Sequence, residues 1–434
     1  MIAPVSSIHD TKGLLETLPT VSMEVPDLLY YAVTNARCAK GEVLIHEGDH
    51  VYMGQCIGMR DGGFFKQPIH SSVSGTFDGY EEHYHRSGKK VKFIRIRNDH
   101  KDEWDPSLKP RTDEEIAKLT RQDFSKILEE NAMVGLGGSS FPTHVKFNND
   151  KKIEVILINA IECEPYITAD IRLMEEEIEK TIEGMRYLQI AFECKKVLIC
   201  IKKKHRSLIS TYREFLRRYE GSGIEVCPVG NFYPQGWEIA MIRSALGIDI
   251  PTGHLPSEFG IANFNVSTVW GIYEAVKNNH SVIERRISVT GDGIKYPSNF
   301  LVRIGTPLKL LLDKCGGYVH PDKDKVFILG GPMMGASLPS DDGIISKTVT
   351  SVLVFDAQTS EEGPCIRCGS CVYSCPTHLE PKQIMDAVKA FDKERIKALN
   401  PLRCIECGLC SYVCTSHIRV TDYIRRAKMF AKTK

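Results

Sequence analysis

Eight cysteines lie close together near the C-terminus, in two runs with the same spacing. Each run follows C-x₂-C-x₂-C-x₃-C, the spacing at which three thiolates wrap one iron–sulfur cube and the fourth binds the neighbouring cube. The pattern therefore predicts two [4Fe–4S] clusters and one-electron transfer. The predicted ligands are Cys365, Cys368, Cys371 and Cys414 for cluster 1, and Cys404, Cys407, Cys410 and Cys375 for cluster 2.

Structural zinc is the alternative for clustered cysteines, but it takes four ligands and does not require two consecutive runs of this spacing. Pro376 follows the first run as in ferredoxins, whereas Thr415 follows the second. The segment Pro381–Ala398 predicts one amphipathic helix with Ile384, Val388 and Phe391 on a single face. A helical insert between the runs indicates an α-helical ferredoxin-type domain.

The length and composition of the chain limit the classes of protein to which it can belong. The chain has 434 residues, enough for two to four domains, and its 56 Lys and Arg nearly cancel 55 Asp and Glu. This balance gives no reason to expect nucleic acid as a partner. No apolar run approaches the roughly 20 residues of a spanning helix, and the N-terminus lacks the basic flank and apolar stretch of a signal peptide. We expect a cytoplasmic protein with no direct transmembrane segment.

The segment Glu42–Gly79 is β-branched and punctuated by glycine, and it resembles the barrel-sandwich fold of biotinyl and lipoyl carriers. Phe64 occupies the position at which those carriers present their modified lysine. Because phenylalanine cannot form the amide, a β scaffold is favoured over a swinging-arm carrier. The charged segment Asp99–Pro110, with two prolines, predicts a linker.

The middle of the chain alternates strands with helices. Buried strands are predicted at Glu154–Asn159, Lys196–Ile201 and Glu225–Val229, with helices near Met174–Phe192 and Ser207–Tyr219. This alternation indicates a parallel α/β sheet with right-handed crossovers.

After the α/β segment, Arg286–Gly317 returns to short strands, which are typical of a small β-grasp domain. We therefore expect a multidomain α/β protein. We predict these divisions: 1–98, N-terminal segment and barrel-sandwich domain; 99–118, linker; 119–285, parallel α/β domain; 286–357, β-grasp (SLBB-like) domain; 358–434, ferredoxin-type domain with two clusters.

One glycine-rich loop, Gly135-Leu-Gly137-Gly138-Ser-Ser140, is soon followed by Lys146. Glycines let backbone N–H groups approach phosphate oxygens, and a helix N-terminus beyond the loop would add its dipole. The loop differs from a dinucleotide fingerprint because Ser140 takes the third glycine position and the preceding ENAMVG is predicted helical. The loop alone fits a phosphate cradle and a surface loop equally well.

Asn159-Ala-Ile-Glu162-Cys-Glu164 directly follows a predicted buried strand. Ligands of open α/β sheets bind at the carboxyl ends of the strands, which favours a binding role for the two carboxylates. The alternative is a solvated loop with one packed cysteine, Cys163.

Several motifs in one order carry a wider resemblance: GLGGSSFPTHVKF, NAIECEPYITAD, YPQGWE, NFNVSTVWGIYEAV, ILGGPMMG, CIRCGSCVYSCP and CIECGLCSYVC. Over almost its whole length the chain is similar to the RnfC family. RnfC proteins are components of the Rnf complex, a membrane-bound ferredoxin:NAD⁺ oxidoreductase coupled to ion transport. The α/β part also resembles the flavin-carrying, NADH-oxidising subunit of respiratory complex I.

The resemblance implies an oxidoreductase subunit that passes electrons between NAD(H), FMN and the two clusters. It also implies a ferredoxin-type carrier and other Rnf-like subunits as partners, and a peripheral location on the cytoplasmic face of the membrane. The resemblance makes the parallel α/β domain, 119–285, the flavin-binding domain, with sites for both FMN and NADH. The FMN residues that it implies are Gly135, Gly137, Gly138, Lys146, Asn159, Glu162, Asn265 and Thr268. For NADH it implies Phe141, Glu164 and Glu238.

The chain departs from the family pattern at two motifs. Ser139 and Ser140 replace Ala-Gly, and Trp237 and Ile239 replace a glycine and a lysine. A serine held at positive φ carries strain of roughly 1–2 kcal/mol. These replacements leave two alternatives open. One is a soluble electron-transfer adaptor feeding a corrinoid or proline reductase, and the other is a docking paralogue that has lost nucleotide binding.

Overall fold

The computed structural model describes residues 8–358 and 361–432. Residues 1–7 lie outside the described residues, and so do the last two residues of the ferredoxin-type domain. The prediction that the N-terminus has no signal peptide rests partly on residues 1–7.

The N-terminal part forms the predicted barrel-sandwich. One sheet has the strand order β2-β8-β7-β4 and the other β3-β5-β6, and together they enclose a core that includes Leu29, Ile57 and Ile94. Phe64 lies at the turn between β5 and β6 with 73% of its surface exposed. The strands are β1 Thr20–Ser22, β2 Leu28–Ala32, β3 Lys40–Val43, β4 His50–Val51, β5 Cys56–Asp61, β6 Lys66–His70, β7 Gly75–Tyr84 and β8 Lys90–Asn98.

The middle of the chain folds as a parallel α/β layer. Its strands are β9 Val155–Asn159, β10 Val197–Lys202, β11 Ile224–Val229 and β12 Ile261–Asn265, in the order β11-β10-β9-β12. All three pairings are parallel, which confirms the predicted sheet; β12 was not predicted. The helices are α1 Asp113–Ile116, α2 Arg121–Glu130, α3 Ala169–Glu176, α4 Ile178–Phe192, α5 Arg206–Leu216, α6 Glu238–Leu246 and α7 Val266–Tyr273.

Two helix predictions in this layer need correction. The helix near Met174–Phe192 is two helices, because Glu177 leaves the helical region with φ of −129°. The segment ENAMVG is not helical beyond Glu130, where α2 ends. Ala132 takes a positive φ, and Val134 forms an isolated β-bridge with Pro142. The glycine-rich loop therefore begins from extended backbone.

The next domain is built on a mixed six-stranded sheet, β1-β14-β13-β17-β15-β16. Strand β1 comes from the N-terminal segment and pairs in parallel with β14. Buried Asn299 reinforces this junction by donating to the backbone oxygens of Leu15 and Leu18. The elements are β13 Glu284–Thr290, β14 Ser298–Arg303, α8 Leu308–Lys314, β15 Lys325–Leu329, β16 Ala336–Leu338 and β17 Ser351–Asp356.

The C-terminal domain is helical, as predicted, but the segment Pro381–Ala398 is two helices instead of one. Ile384 and Val388 are buried, whereas Phe391 has φ of +54° and is 77% exposed. The second helix starts because the Asp392 side chain accepts from the N–H of Arg395. The helices are α9 Ser370–Tyr373, α10 Pro381–Lys389, α11 Lys393–Ala398, α12 Leu409–Tyr412 and α13 Val420–Lys432.

Among residues 8–358 and 361–432, no helix combines the length and the apolar character needed to cross a membrane.

Candidate functional site

A cavity of about 480 Å³ lies at the carboxyl ends of β9 and β12, beneath the glycine-rich loop. This volume is within the range of small-molecule sites. All eleven residues assigned to FMN or NADH line it, although their individual roles stay predictions. They are Gly135, Gly137, Gly138, Phe141, Lys146, Asn159, Glu162, Glu164, Glu238, Asn265 and Thr268.

The glycine-rich loop is fastened to its surroundings by its own backbone. The Gly135 N–H donates to the Phe141 carbonyl at 2.8 Å. The Leu136 N–H donates to Oγ1 of Thr268 at 2.9 Å, and the Leu136 carbonyl accepts from Arg285 at 2.9 Å. Thr268 therefore ties the loop to the first turn of α7.

Two positions in the loop show how its backbone restricts which side chains it accepts. A Cβ atom on Gly137 would stand 2.9 Å from Cγ of Asn265, so this close approach requires glycine. Ser140 adopts φ of +54°, the left-handed region that an L-residue enters at a cost. The serine that departs from the family pattern is therefore strained.

Asn265 lies at the N-terminus of α7 and is held on both sides. Its Oδ1 accepts from the N–H of Thr268 at 3.3 Å, which caps the helix. Its Nδ2 donates to the buried carboxylate of Asp170 at 2.6 Å. The cavity is thus bordered by a capped helix N-terminus, whereas the loop itself leads into the short 3₁₀ helix Thr143–Phe147.

Glu162 and Glu164 are two residues apart but differ in their partners. Glu162 accepts from the N–H groups of Asp170 and Ile171 at 2.8 and 3.3 Å, and Lys12 Nζ lies 3.7 Å from its Oε2. Burial raises the pKa of Glu162, while Lys12 opposes the shift. This carboxyl group is already well supplied with donors from the chain.

Glu164 has fewer partners. Its Oε2 accepts from the Met333 N–H at 3.1 Å, while Oε1 is buried and meets no hydrogen-bond partner among the described residues. Burial raises the pKa of Glu164 to about 7, against the opposing N–H of Met333. A carboxyl group that holds its proton near neutral pH can donate a hydrogen bond to a ligand.

Lys146 supplies a cation on the wall of the cavity. Its Nζ donates to the backbone oxygen of Asn263 at 2.6 Å and to the side-chain oxygen at 2.9 Å. Asn263 in turn donates to Glu238 at 2.7 Å. Burial lowers the pKa of Lys146 to about 8, and the charge of Glu238 opposes this.

The two replacements at Trp237 and Ile239, in YPQGWE and directly after it, differ in the cavities that they line. Trp237 lines the central cavity, together with Phe141. Ile239 instead lines a neighbouring cavity of about 300 Å³. Trp237 lines both cavities, whereas Ile239, which replaces the lysine, lines only the neighbouring one.

The structure adds residues that the sequence reasoning missed. Arg86, Asp170, Gly331 and Ile405 also line the cavity. Gly331 belongs to the quoted motif ILGGPMMG, and a Cβ atom there would stand 2.0 Å from Oε2 of Glu164. Asp170 and Ile405 also lie in quoted motifs, NAIECEPYITAD and CIECGLCSYVC, whereas Arg86 carries no local signal.

The predicted cluster ligands fall into two cavities in the predicted sets. One cavity is lined by Cys375, Cys404, Cys407 and Cys410, and the other by Cys365, Cys368, Cys371 and Cys414. Cys407 and Cys410 are buried, whereas Cys365 and Cys368 are exposed. In the described ranges, no three or more His, Cys, Asp or Glu side chains form a group suited to one metal ion. The two linings match the predicted division of the cysteines into sets of four, and the ligand roles stay predictions.

The second cysteine run reaches the central cavity through Ile405. Ile405 lines both that cavity and the one formed by Cys404 and its partners. The Tyr233 hydroxyl donates to the backbone oxygen of Cys407 at 2.8 Å, and Tyr233, Cys407 and Leu409 form one buried cluster.

Comparison with known protein families gives four matches along the chain. Residues 7–101 match the RnfC barrel sandwich hybrid domain, 128–274 the Nuo51 FMN-binding domain, 286–337 the SLBB domain and 364–418 the 4Fe-4S dicluster domain. The RnfC protein of the Na(+)-translocating ferredoxin:NAD(+) oxidoreductase complex of Acetobacterium woodii is 35% identical over 348 residues, which cover 79% of this chain and 77% of the relative. The chain belongs to the RnfC family.

A second RnfC relative agrees. The RnfC protein of the proton-translocating ferredoxin:NAD(+) oxidoreductase complex of Clostridium ljungdahlii is 33% identical over 86% of this chain and 81% of its own length. A crystal structure of an NAD⁺-reducing [NiFe]-hydrogenase in the H₂-reduced state superposes with a TM-score of 0.51 at 15% identity, over 73% of this chain and 61% of that one. The latter likeness concerns the fold alone.

Replacing Ser140 with glycine is expected to stabilise this RnfC protein by roughly 1 kcal/mol, because glycine adopts a positive φ without strain. Thermal denaturation of wild type and Ser140→Gly measures the difference. Ser139→Gly is the matched control, since φ of Ser139 is not positive. If both variants lose stability equally, the strain at Ser140 is refuted.

The pKa of Glu164 gives a prediction about pH. Because its folded value is raised from 4.5 to about 7, the folded protein holds this proton more tightly than the unfolded chain does. Its contribution to stability is full below pH 4.5 and is lost as the pH rises through 7. Melting temperatures across this range should fall less steeply in Glu164→Gln than in wild type, whereas exposed Glu82→Gln should keep the wild-type slope. Equal slopes in all three proteins would contradict the assignment.

Proposed function

We propose that this chain passes electrons between NAD(H) and two [4Fe–4S] clusters by way of FMN held in the central cavity. It would do so as a subunit of an Rnf-like membrane complex that exchanges electrons with a ferredoxin-type carrier. The observation that carries the proposal is the position of the Cys407 segment, which packs on the wall of a cavity lined by every residue assigned to FMN and NADH.

The residues on the inner side of the cavity suit a flavin phosphate. Gly135 and Gly137 leave the loop backbone open to close approach, and the N-terminus of α7 at Asn265 favours negative charge. Lys146 adds a cation whose hydrogen bonds within the chain go to the two oxygens of Asn263. When bound, FMN accepts two electrons together and delivers them one at a time, which links a hydride donor to a one-electron acceptor.

The residues assigned to the nicotinamide surround the remaining space. Phe141 and Trp237 offer aromatic rings against which a planar group can pack. Glu164, protonated near neutral pH, offers a hydrogen-bond donor through the oxygen that meets no partner in the described chain. These residues would orient the nucleotide and exclude water from the space between the nicotinamide and flavin rings.

The two cysteine sets differ in their distance from solvent, and this difference suggests an order. In the set that contains Cys407, three of the four cysteines are buried, and the adjoining Ile405 lines the central cavity, so cluster 2 would stand next to the flavin. In the other set Cys365 and Cys368 are exposed and the remaining two cysteines are partly buried, so cluster 1 would face the redox partner.

The names of the relatives support the assembly. Those proteins are subunits of Na⁺- or proton-translocating ferredoxin:NAD⁺ oxidoreductase complexes. We place this chain in a complex of the same type, at the cytoplasmic face of the membrane and held there by partner subunits.

Paired cysteine variants test the proposed order. Cys368→Ala should lower bound iron by about half and leave the remaining cluster reducible by NADH, because cluster 2 still borders the flavin. Cys407→Ala should also lower the iron, but NADH should then reduce flavin alone, since the route to cluster 1 is interrupted. Iron analysis together with anaerobic absorbance spectra measures both effects.

Cys56→Ala, outside both runs and partly buried, serves as the control and should keep full iron. If NADH still reduces a cluster in Cys407→Ala but not in Cys368→Ala, the order is the reverse of the proposed one. If either variant keeps full iron, the ligand assignment is wrong.

A further inference from the structure

A second cavity, of about 490 Å³, lies on the other side of the glycine-rich loop from the central one. It is enclosed by the barrel-sandwich, by the loop and by the segment 344–348 of the β-rich domain. The two cavities share only Arg86, Gly138 and Ser139 among their described lining residues. No motif in the sequence points to this space.

The lining of the second cavity is strongly basic. Arg37, Arg60, Arg86 and Lys347 all face it, and it has no Asp or Glu among its lining residues in the described chain. None of these four cations forms an ion pair with a described carboxylate. Because the whole chain is nearly neutral, this concentration of positive charge is local.

Neutral oxygens are what hold the two inner cations. Arg60 donates to the Ala32 carbonyl at 3.0 and 2.5 Å. Lys347 Nζ lies 3.4 and 3.5 Å from the carbonyl oxygens of Asn131 and Ala132, which are long hydrogen bonds. Both side chains are partly buried, so their charges are poorly compensated by the chain.

The electrostatics agree with this geometry. Burial, together with the charge of Arg60, lowers the pKa of Lys347 to about 7. Burial also lowers the pKa of Arg60 to about 10. Nδ1 of His70, also on the cavity wall, is buried without a hydrogen-bond partner in the described residues. Charges gathered in this way are costly unless an anion completes the site.

The rest of the lining fits an organic group better than a bare ion. The volume is that of a small-molecule site and far exceeds the needs of one inorganic anion. Tyr31 and Phe65 give it buried aromatic walls, while Asn35 and Gln67 offer amide groups. A ligand that fits this lining would carry negative charge at one end and an organic group at the other.

We propose that the second cavity binds a phosphorylated small organic molecule, with its phosphate held by Arg60, Arg86 and Lys347. Arg86 also donates to the Gly138 carbonyl at 3.2 Å, and Arg37 to the Ser139 carbonyl at 2.7 Å. The ligand therefore lies against the back of the loop that closes the central cavity. The site does not depend on the proposed flavin role, because Arg60 and Lys347 do not line the central cavity.

Calorimetric titration of the full chain, loaded with iron and flavin, tests the site with AMP and inorganic phosphate as separate probes. AMP should bind, and more tightly than inorganic phosphate does. Arg60→Gln and Lys347→Gln should each weaken AMP binding about tenfold or more, as expected for loss of a charge-assisted hydrogen bond. Lys40→Gln, on an exposed position of the barrel-sandwich, should bind AMP as wild type does.

Three results would overturn the proposal. The first is no AMP binding at millimolar concentration, and the second is AMP affinity unchanged in both Gln variants, which places binding elsewhere. The third is inorganic phosphate binding as tightly as AMP, which removes the organic part of the ligand.

A stability measurement covers the case in which Arg60→Gln does not fold. In buffer without phosphate, Lys347→Gln should raise the melting temperature, because it removes one of several poorly compensated cations. AMP should then raise the melting temperature of wild type but have little effect on this variant. A lower melting temperature for Lys347→Gln without AMP would show that the chain itself compensates Lys347.

Discussion

The packing of the second cysteine run on the wall of the central cavity is the contact on which the proposed electron route depends. The Tyr233 hydroxyl binds the backbone oxygen of Cys407 at 2.8 Å, and a Cβ atom on Gly408 would stand 2.9 Å from the Met333 oxygen. Met333 in turn donates its N–H to Glu164. The helical domain, the β-rich domain and the α/β layer therefore meet at one point, and a shift of any one of them would separate the cysteines from the cavity.

Charge is distributed unequally on the two sides of the glycine-rich loop. The central cavity contains the buried carboxyl groups of Glu162 and Glu164, whose pKa values are raised by burial. Behind the loop, Arg60 and Lys347 are gathered without a carboxylate lining their cavity in the described chain. Gly138 and Ser139 of the loop line both cavities, so charges on either side act on the same backbone. Arg86 also lines both cavities.

Much of this arrangement follows from local sequence. The spacing of the cysteines predicts their two sets because neighbouring turns decide which thiolates converge, and the buried strands lie within one residue of their predicted bounds because an apolar run is a local signal. The prediction for Phe391 is wrong, since one residue at positive φ ends the helix that periodicity extends. Asp170 and Ile405 lie in two of the quoted motifs, but the spacing within those motifs does not indicate that they reach the cavity. Arg86 lies outside every quoted motif and reaches the cavity through a tertiary contact alone.

Electron transfer from a nucleotide in the central cavity to the clusters can be observed in a single experiment. It is an anaerobic absorbance titration of the iron- and flavin-loaded wild-type protein, first with NADH and then with dithionite. If the route runs through the cavity, NADH bleaches the flavin and cluster bands before dithionite is added. Bleaching of the clusters by dithionite alone, with flavin present in full amount, would contradict that route.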